Sequence, residues 1–151
     1  MKTTRASYAT ATDVSPERSR GEIERLLRRF GATGFAYAWS ESSATIAFHI
    51  EGLTVRVAVP LPTPDDPSFR LTPTSRQRTD RQAEEAYEAE CRRRWRSLAA
   101  VIKAKLVAVE DNISTIEQEF LAHIVVPNGQ TVGELALPQL ARGEPLSLLP
   151  G

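Results

Sequence analysis

The stretch CRRRWRSLAAVIKAKL, residues 91–106, sets six basic side chains around one tryptophan and contains no acid. Guanidinium and ammonium groups at that density suit one chemistry: they displace counterions from a polyanion and donate hydrogen bonds to its oxygens. On a helical wheel centred on Trp95, Arg92, Arg96 and Lys103 fall on one flank, within about 40° of each other at 100° per residue. Arg94 and Lys105 fall on the other flank. Glu88 stands four positions before Arg92 and Glu90 four before Arg94, the favourable order for helical ion pairs. With those two acids committed, Arg93, Arg96, Lys103 and Lys105 are expected to be the free cations. The nucleic-acid-binding set read from the sequence is therefore Arg92, Arg93, Arg96, Lys103, Lys105 and Arg56, assisted by Arg70, Arg76, Arg78 and Arg81. The competing reading makes the same residues the solvated or interface flank of a core helix, with Trp95 buried in its seam.

Other chemistry is sparse. Glu119 and His123, four apart, could each offer a ligand to a metal, but two ligands do not make a site, and no second Glu-x-x-His or cysteine cluster accompanies them. His49 and His123 are the only imidazoles, and there is no nucleophile motif, P-loop or dinucleotide fingerprint. No catalytic residue, metal or cofactor is assigned. An enzyme would have to be built around His123 and nearby carboxylates.

The bulk properties narrow the class. With 41% hydrophobic and 25% charged residues the chain has globular composition, and its 151 residues suit one domain. No apolar run approaches the roughly 20 residues of a membrane span, so no membrane partner is expected. Met1 to Asp13 lacks an apolar h-region, which argues against a secretory signal. The single Cys91 excludes an intrachain disulfide and fits a reducing, cytoplasmic setting. Net charge is zero but segregated: residues 1–105 hold 18 basic and 13 acidic side chains, and residues 106–151 hold one and six. That asymmetry points to polyanion binding or to self-association, most simply a homodimer.

The elements that must position these side chains read as α+β. Residues 1–14 are expected to fray, and residues 15–60 to form a helix and a sheet. Ser15-Pro16 is a capping signal, with Ser19 and Glu22 repeating the box spacing. Ile23, Leu26, Leu27 and Phe30 then give one apolar face, closed by Gly31. Three runs of period two follow: Phe35, Tyr37 and Trp39; then Ile46, Phe48 and Ile50; then Leu53, Val55, Val57 and Val59. A two-residue turn at Glu51-Gly52 pairs Phe48 with Val55. A four-residue loop at 40–43 pairs Tyr37 with Ile46. This meander collects the large residues on one face, expected to lie under the first helix. The small face (Ala36, Ala38, Thr45, Ala47, His49, Thr54, Arg56 and Ala58) is expected to lie under a later helix.

Residues 61–79 form a Pro-rich linker, and 80–151 a helical part. Thr79 with Gln82 caps a long helix over about 80–110, whose seam is Tyr87, Cys91, Trp95, Leu98, Ile102, Leu106 and Val109. Ser114 with Glu117 caps a short helix carrying Ile116, Phe120 and Ile124. Thr131 with Glu134 caps a last one, interrupted at Pro138.

Four stretches, SPERSRGEIERLLRRFGATGFAY, RRRWRSLAAVIKAKLVAVEDNISTIEQEFLAHIV, PNGQTVGE and the closing LLPG, resemble a widespread family of uncharacterised proteins of tailed bacteriophages and prophages. The segment after Glu134 is shorter here than is usual in that family. The resemblance implies a phage or prophage origin and a place among early genes, some of which serve replication or recombination. It implies no activity. The expectation is a non-enzymatic accessory protein in the host cytoplasm that contacts the backbone of DNA or RNA. The alternative is a protein-binding, anti-defence inhibitor of a host enzyme such as a CRISPR or nuclease effector.

Overall fold

The computed structural model describes residues 17–148. The Ser15-Pro16 cap, the fraying expected of residues 1–14 and the closing LLPG beyond Leu148 lie outside the described residues.

Helix α1 occupies residues 17–29 and buries Ser19, Ile23 and Leu27, four apart on one face. Its end is a Schellman motif. Gly31 takes φ 94°, its amide donates to Arg28 O at 3.1 Å, and the Ala32 amide donates to Leu27 O at 2.9 Å.

Strands β1 (Gly34–Trp39), β2 (Ser43–Ile50) and β3 (Leu53–Pro60) form one antiparallel sheet in the order β1-β2-β3. The observed register pairs Phe35 with Phe48, Tyr37 with Ile46, Phe48 with Val55 and Ile50 with Leu53, as the alternation predicts. Glu51 and Gly52 both take positive φ, the conformation that matches a two-residue hairpin to strand twist.

The linker is more ordered than its prolines suggest. A 3-10 turn over Pro67–Arg70, capped by Asp66, inserts Phe69 beneath the long helix. Helix α2 (Asp80–Glu110) is capped by the Thr79/Gln82 box and buries Ala83, Tyr87, Cys91, Trp95, Ala99, Ile102 and Leu106. After the left-handed Asn112 come helix α3 (Ile116–Phe120), a 3-10 turn over Leu121–His123, and helix α4 (Val132–Ala141).

One core unites Ile23 and Leu27 of α1, Ile46, Phe48, Ile50, Val55 and Val57 of the sheet, Trp95, Ala99, Ile102 and Leu106 of α2, and Ile116 and Phe120 of α3. A smaller cluster joins Phe69 to Ala83, Tyr87 and Cys91.

Four local expectations are corrected. The long helix does not cover the small sheet face. It joins α1 on the large face, because only that face offers enough apolar area to bury against two helices. Ala36, Ala38, His49 and Ala58 remain exposed. Trp39 is also exposed, although it belongs to the large-residue series. The cap of α3 is Thr115/Gln118, one residue later than expected, because the Ser114 amide is used in closing α2 onto Ala108 O. Finally, Pro138 does not interrupt α4. The helix runs through it to Ala141, with the Gln139 carboxamide donating to Leu135 O at 2.7 Å.

Candidate nucleic-acid interface

The basic residues of α2 divide by partner. Glu90 accepts from Arg93 Nε and Nη2 at 2.9 and 2.6 Å, and from Arg94 Nε at 3.0 Å. The hydrogen bonds from Arg93, joined by those from Arg94, bring the Glu90 carboxyl down to about 2. Arg93, expected to be free, is therefore paired: its acid stands three positions before it rather than four, and one carboxylate serves two arginines. Arg94 also donates to Pro60 O at 2.6 Å, tying α2 to the end of β3.

Lys105, also expected to be free, is half-buried. Its Nζ donates to Glu119 O at 2.7 Å, lies 3.6 Å from the Glu119 carboxylate and sits 5.8 Å from the centre of the Phe120 ring. Arg56 belongs to another surface. It alternates with the buried Val55 and Val57, so it points away from the core, where it meets Glu134 at 3.2 Å. Of the assisting arginines, Arg70 pairs with Asp80, Arg81 in the first turn of α2 pairs with Glu85, and Arg78 donates to Phe69 O. Arg92 is half-buried beside Glu88, whose carboxyl is raised by burial and by Glu84 and drawn back by the arginine's charge.

Arg96 and Lys103 are exposed, and neither makes an ion pair among the described residues. They line a groove between α1 and α2 whose other bank carries Arg25 and Arg29, with the buried Ile23 and Ala99 in its lining and Glu22 as its one acid. Arg25 and Arg29 also form no ion pair among the described residues. Neighbouring cations one turn apart on α1 are about 6 Å apart along the axis, and Arg96 and Lys103 about 10 Å. A linear polyanion lying in the groove would meet positive charge from both sides. A second depression, bounded by Leu71, Arg78 and Arg93, adjoins the first through Arg96.

The α1 cations were missed in reading the sequence, although they were available there. Arg18, Arg25 and Arg29, spaced seven and four apart, fall within about 40° on a wheel, opposite the Ile23 and Leu27 face.

Glu119 lies on α3 and His123 in the following 3-10 turn, and Lys105 pairs with the Glu119 carboxylate and acts on His123 as well. Burial, with that ammonium, lowers the His123 imidazole below its usual range. Among the described residues no group of three His, Cys, Asp or Glu side chains could hold a metal ion. Among the same residues no helix is long and apolar enough to cross a membrane.

No family model matches this chain, and neither a curated protein nor a solved structure matches it.

Proposed function

We propose that this protein binds the sugar–phosphate backbone of nucleic acid in the groove between α1 and α2, as a binding protein rather than a catalyst. One observation carries the reading: Arg25, Arg29, Arg96 and Lys103 converge from two helices around a groove with one acid, Glu22, and none of the four forms an ion pair among the described residues. Like charges held together on rigid elements repel one another, and a polyanion relieves that repulsion. The resemblance to phage proteins would place the activity in replication or recombination.

The test is the salt dependence of binding. Each phosphate neutralised contributes a slope of about 0.7 in a log–log plot for a single strand and about 0.9 for a duplex. Reversing Arg96 and Lys103 to Glu should weaken binding and flatten that slope. A wild-type protein with no salt-sensitive binding at low ionic strength would sink the proposal.

A second reading, a protein-binding module, is favoured by a different surface. Leu137 and Leu140 on α4 and Leu146 and Leu148 in the following tail are all exposed. The tail is held to α4 by the Gln139 carboxamide, which accepts from Ser147 N at 2.7 Å and donates to Ser147 O at 2.8 Å. The occupant could be a second copy of this chain or an unrelated protein. Sedimentation velocity of wild type against Leu137→Lys/Leu140→Lys distinguishes them: a concentration-dependent mass that the double variant abolishes supports the second copy. A monomer throughout leaves only an unrelated partner.

A further inference from the structure

Trp39 departs from the pattern of its own sheet face. Ile46, Phe48 and Ile50 on the neighbouring strand are buried, whereas Trp39 is 69% exposed at the end of β1. It borders a shallow concavity with Tyr37, Arg20 and Glu17. The Arg20 guanidinium lies 3.8 Å from the Tyr37 ring centre, and Tyr37 in turn leans on Trp95 at 5.7 Å. A fixed cation thus stands next to an exposed indole, and the column behind it runs into the core. Folding gains little from an indole left this open, whereas a planar ligand laid against it would gain a large contact area.

The position of Trp39 favours one kind of ligand. Arg20 lies toward the Trp39 side of α1, and Arg25 and Arg29 line its other side. Arg18 belongs to the Arg25 and Arg29 stripe, and on the outer face of α1 Glu17 and Glu24 stand between that stripe and Arg20. A strand reaching from the groove to the indole crosses a helix about 10–12 Å across and meets cations on its two sides, Arg25 and Arg29 on one and Arg20 on the other. Phosphates need the cations and bases need the aromatic, and only an unpaired strand presents a free base face next to its backbone.

We infer that Trp39 is a base-stacking platform, so that the ligand of the basic groove is single-stranded nucleic acid. This rests on the groove reading proposed above. Phosphates lie against Arg25, Arg29, Arg96 and Lys103, and a base of the same strand stacks on the indole beside Arg20.

The chain has two tryptophans, and Trp95 is 1% exposed, so quenching by an added strand reports on Trp39. The probe is an oligothymidylate of about 15 nucleotides, near the upper site size of small single-strand-binding folds. A duplex of the same length serves as comparison, and a labelled copy of each gives an independent affinity by anisotropy. The expected result is quenching by the single strand and not by the duplex. Trp39→Ala should weaken single-strand binding about tenfold while leaving the salt slope unchanged. Trp39→Phe should recover most of the loss, and the blue-shifted emission of Trp95 verifies that both variants fold. Salt-sensitive binding with no quenching, and an affinity unchanged in Trp39→Ala, would overturn the stacking platform while leaving the groove intact. Absence of salt-sensitive binding would overturn the groove and the platform together. Unchanged oligonucleotide affinity with altered sedimentation of Trp39→Ala would assign the indole to a protein contact and overturn the inference.

Discussion

Lys105 Nζ donates to the main-chain oxygen of Glu119 at 2.7 Å, joining the last turns of α2 to α3. Lys103, two residues earlier, faces the groove against α1. The two lysines therefore have separable roles. Lys105→Ala is expected to cost about 1.5 kcal/mol, the lower end of the range for hydrogen bonds to charged groups, because the site is half-exposed. Its salt slope of oligonucleotide binding should stay at the wild-type value. Lys103→Ala should do the reverse. Paired denaturant titrations and binding isotherms check both.

Trp95 lies at the centre of the main core, 1% exposed and in contact with Tyr37. Truncation to Ala should cost about 3–5 kcal/mol, as for other large aromatic residues removed from a core. Chemical denaturation measures it, and a loss below about 1 kcal/mol would contradict the burial described.

Glu90 gives an acid-range prediction. Its folded carboxyl is depressed from its ordinary 4.5 to about 2. A depressed carboxylate stabilises the fold above its unfolded value, and that contribution is lost as pH falls through the folded value. Stability should therefore decline between about pH 4.5 and 2, and Glu90→Gln should remove that part of the decline. Because Arg93, the main partner of Glu90, is exposed, the effect is expected to be small and to shrink with added salt. Urea midpoints for the two proteins across that window provide the comparison.

Two glycines separate a rigid obstacle from a movable one. A Cβ on Gly133 would lie 2.7 Å from the main-chain oxygen of Ala122, whereas one on Gly34 would meet the edge of the exposed His49 ring at 2.9 Å. An Ala in a helix interior ordinarily gains about 1 kcal/mol over Gly. Gly133→Ala should nevertheless destabilise, because the backbone of the Leu121–His123 turn cannot retreat without disturbing α4. Gly34→Ala should cost less, by turning the imidazole away from its 2.9 Å contact with Thr54 Oγ1. Thermal unfolding of the two variants gives the order.

Much of the framework was legible in the sequence. The alternation in β1 to β3, together with Glu51-Gly52, gave every cross-strand pair of large residues, because a one-residue slip would turn a whole strand inside out. The Thr79/Gln82 and Thr131/Glu134 boxes marked two helix starts. Period two says which residues share a face but not what covers it, so the placement of α2 was not legible. The site was only half legible. Pairing by fixed spacing assigned Glu90 to Arg94 alone, and nothing in linear order showed that α1 would bring Arg25 and Arg29 opposite Arg96. The partner of Lys105 is fourteen residues away and is a main-chain oxygen, which spacing rules do not consider.

The two apolar clusters along α2 have a consequence for how the molecule opens. From Trp95 onward the helix is anchored in the main core, whereas Ala83, Tyr87 and Cys91 are held chiefly through Phe69 of the linker turn. Phe69 meets Tyr87 edge-on at 5.8 Å, and little else is buried in that cluster. A helix anchored so unevenly behaves as two cooperative units that share a backbone. Its first three turns can melt together with the 67–78 segment while the sheet stays folded. In amide exchange the protection along α2 should therefore step up near Trp95, with residues 83–90 exchanging through local opening and residues 98–106 only through global unfolding. The step falls next to Arg93 and Arg96, so one end of the basic groove lies at the boundary between the part of the helix that breathes and the part that does not.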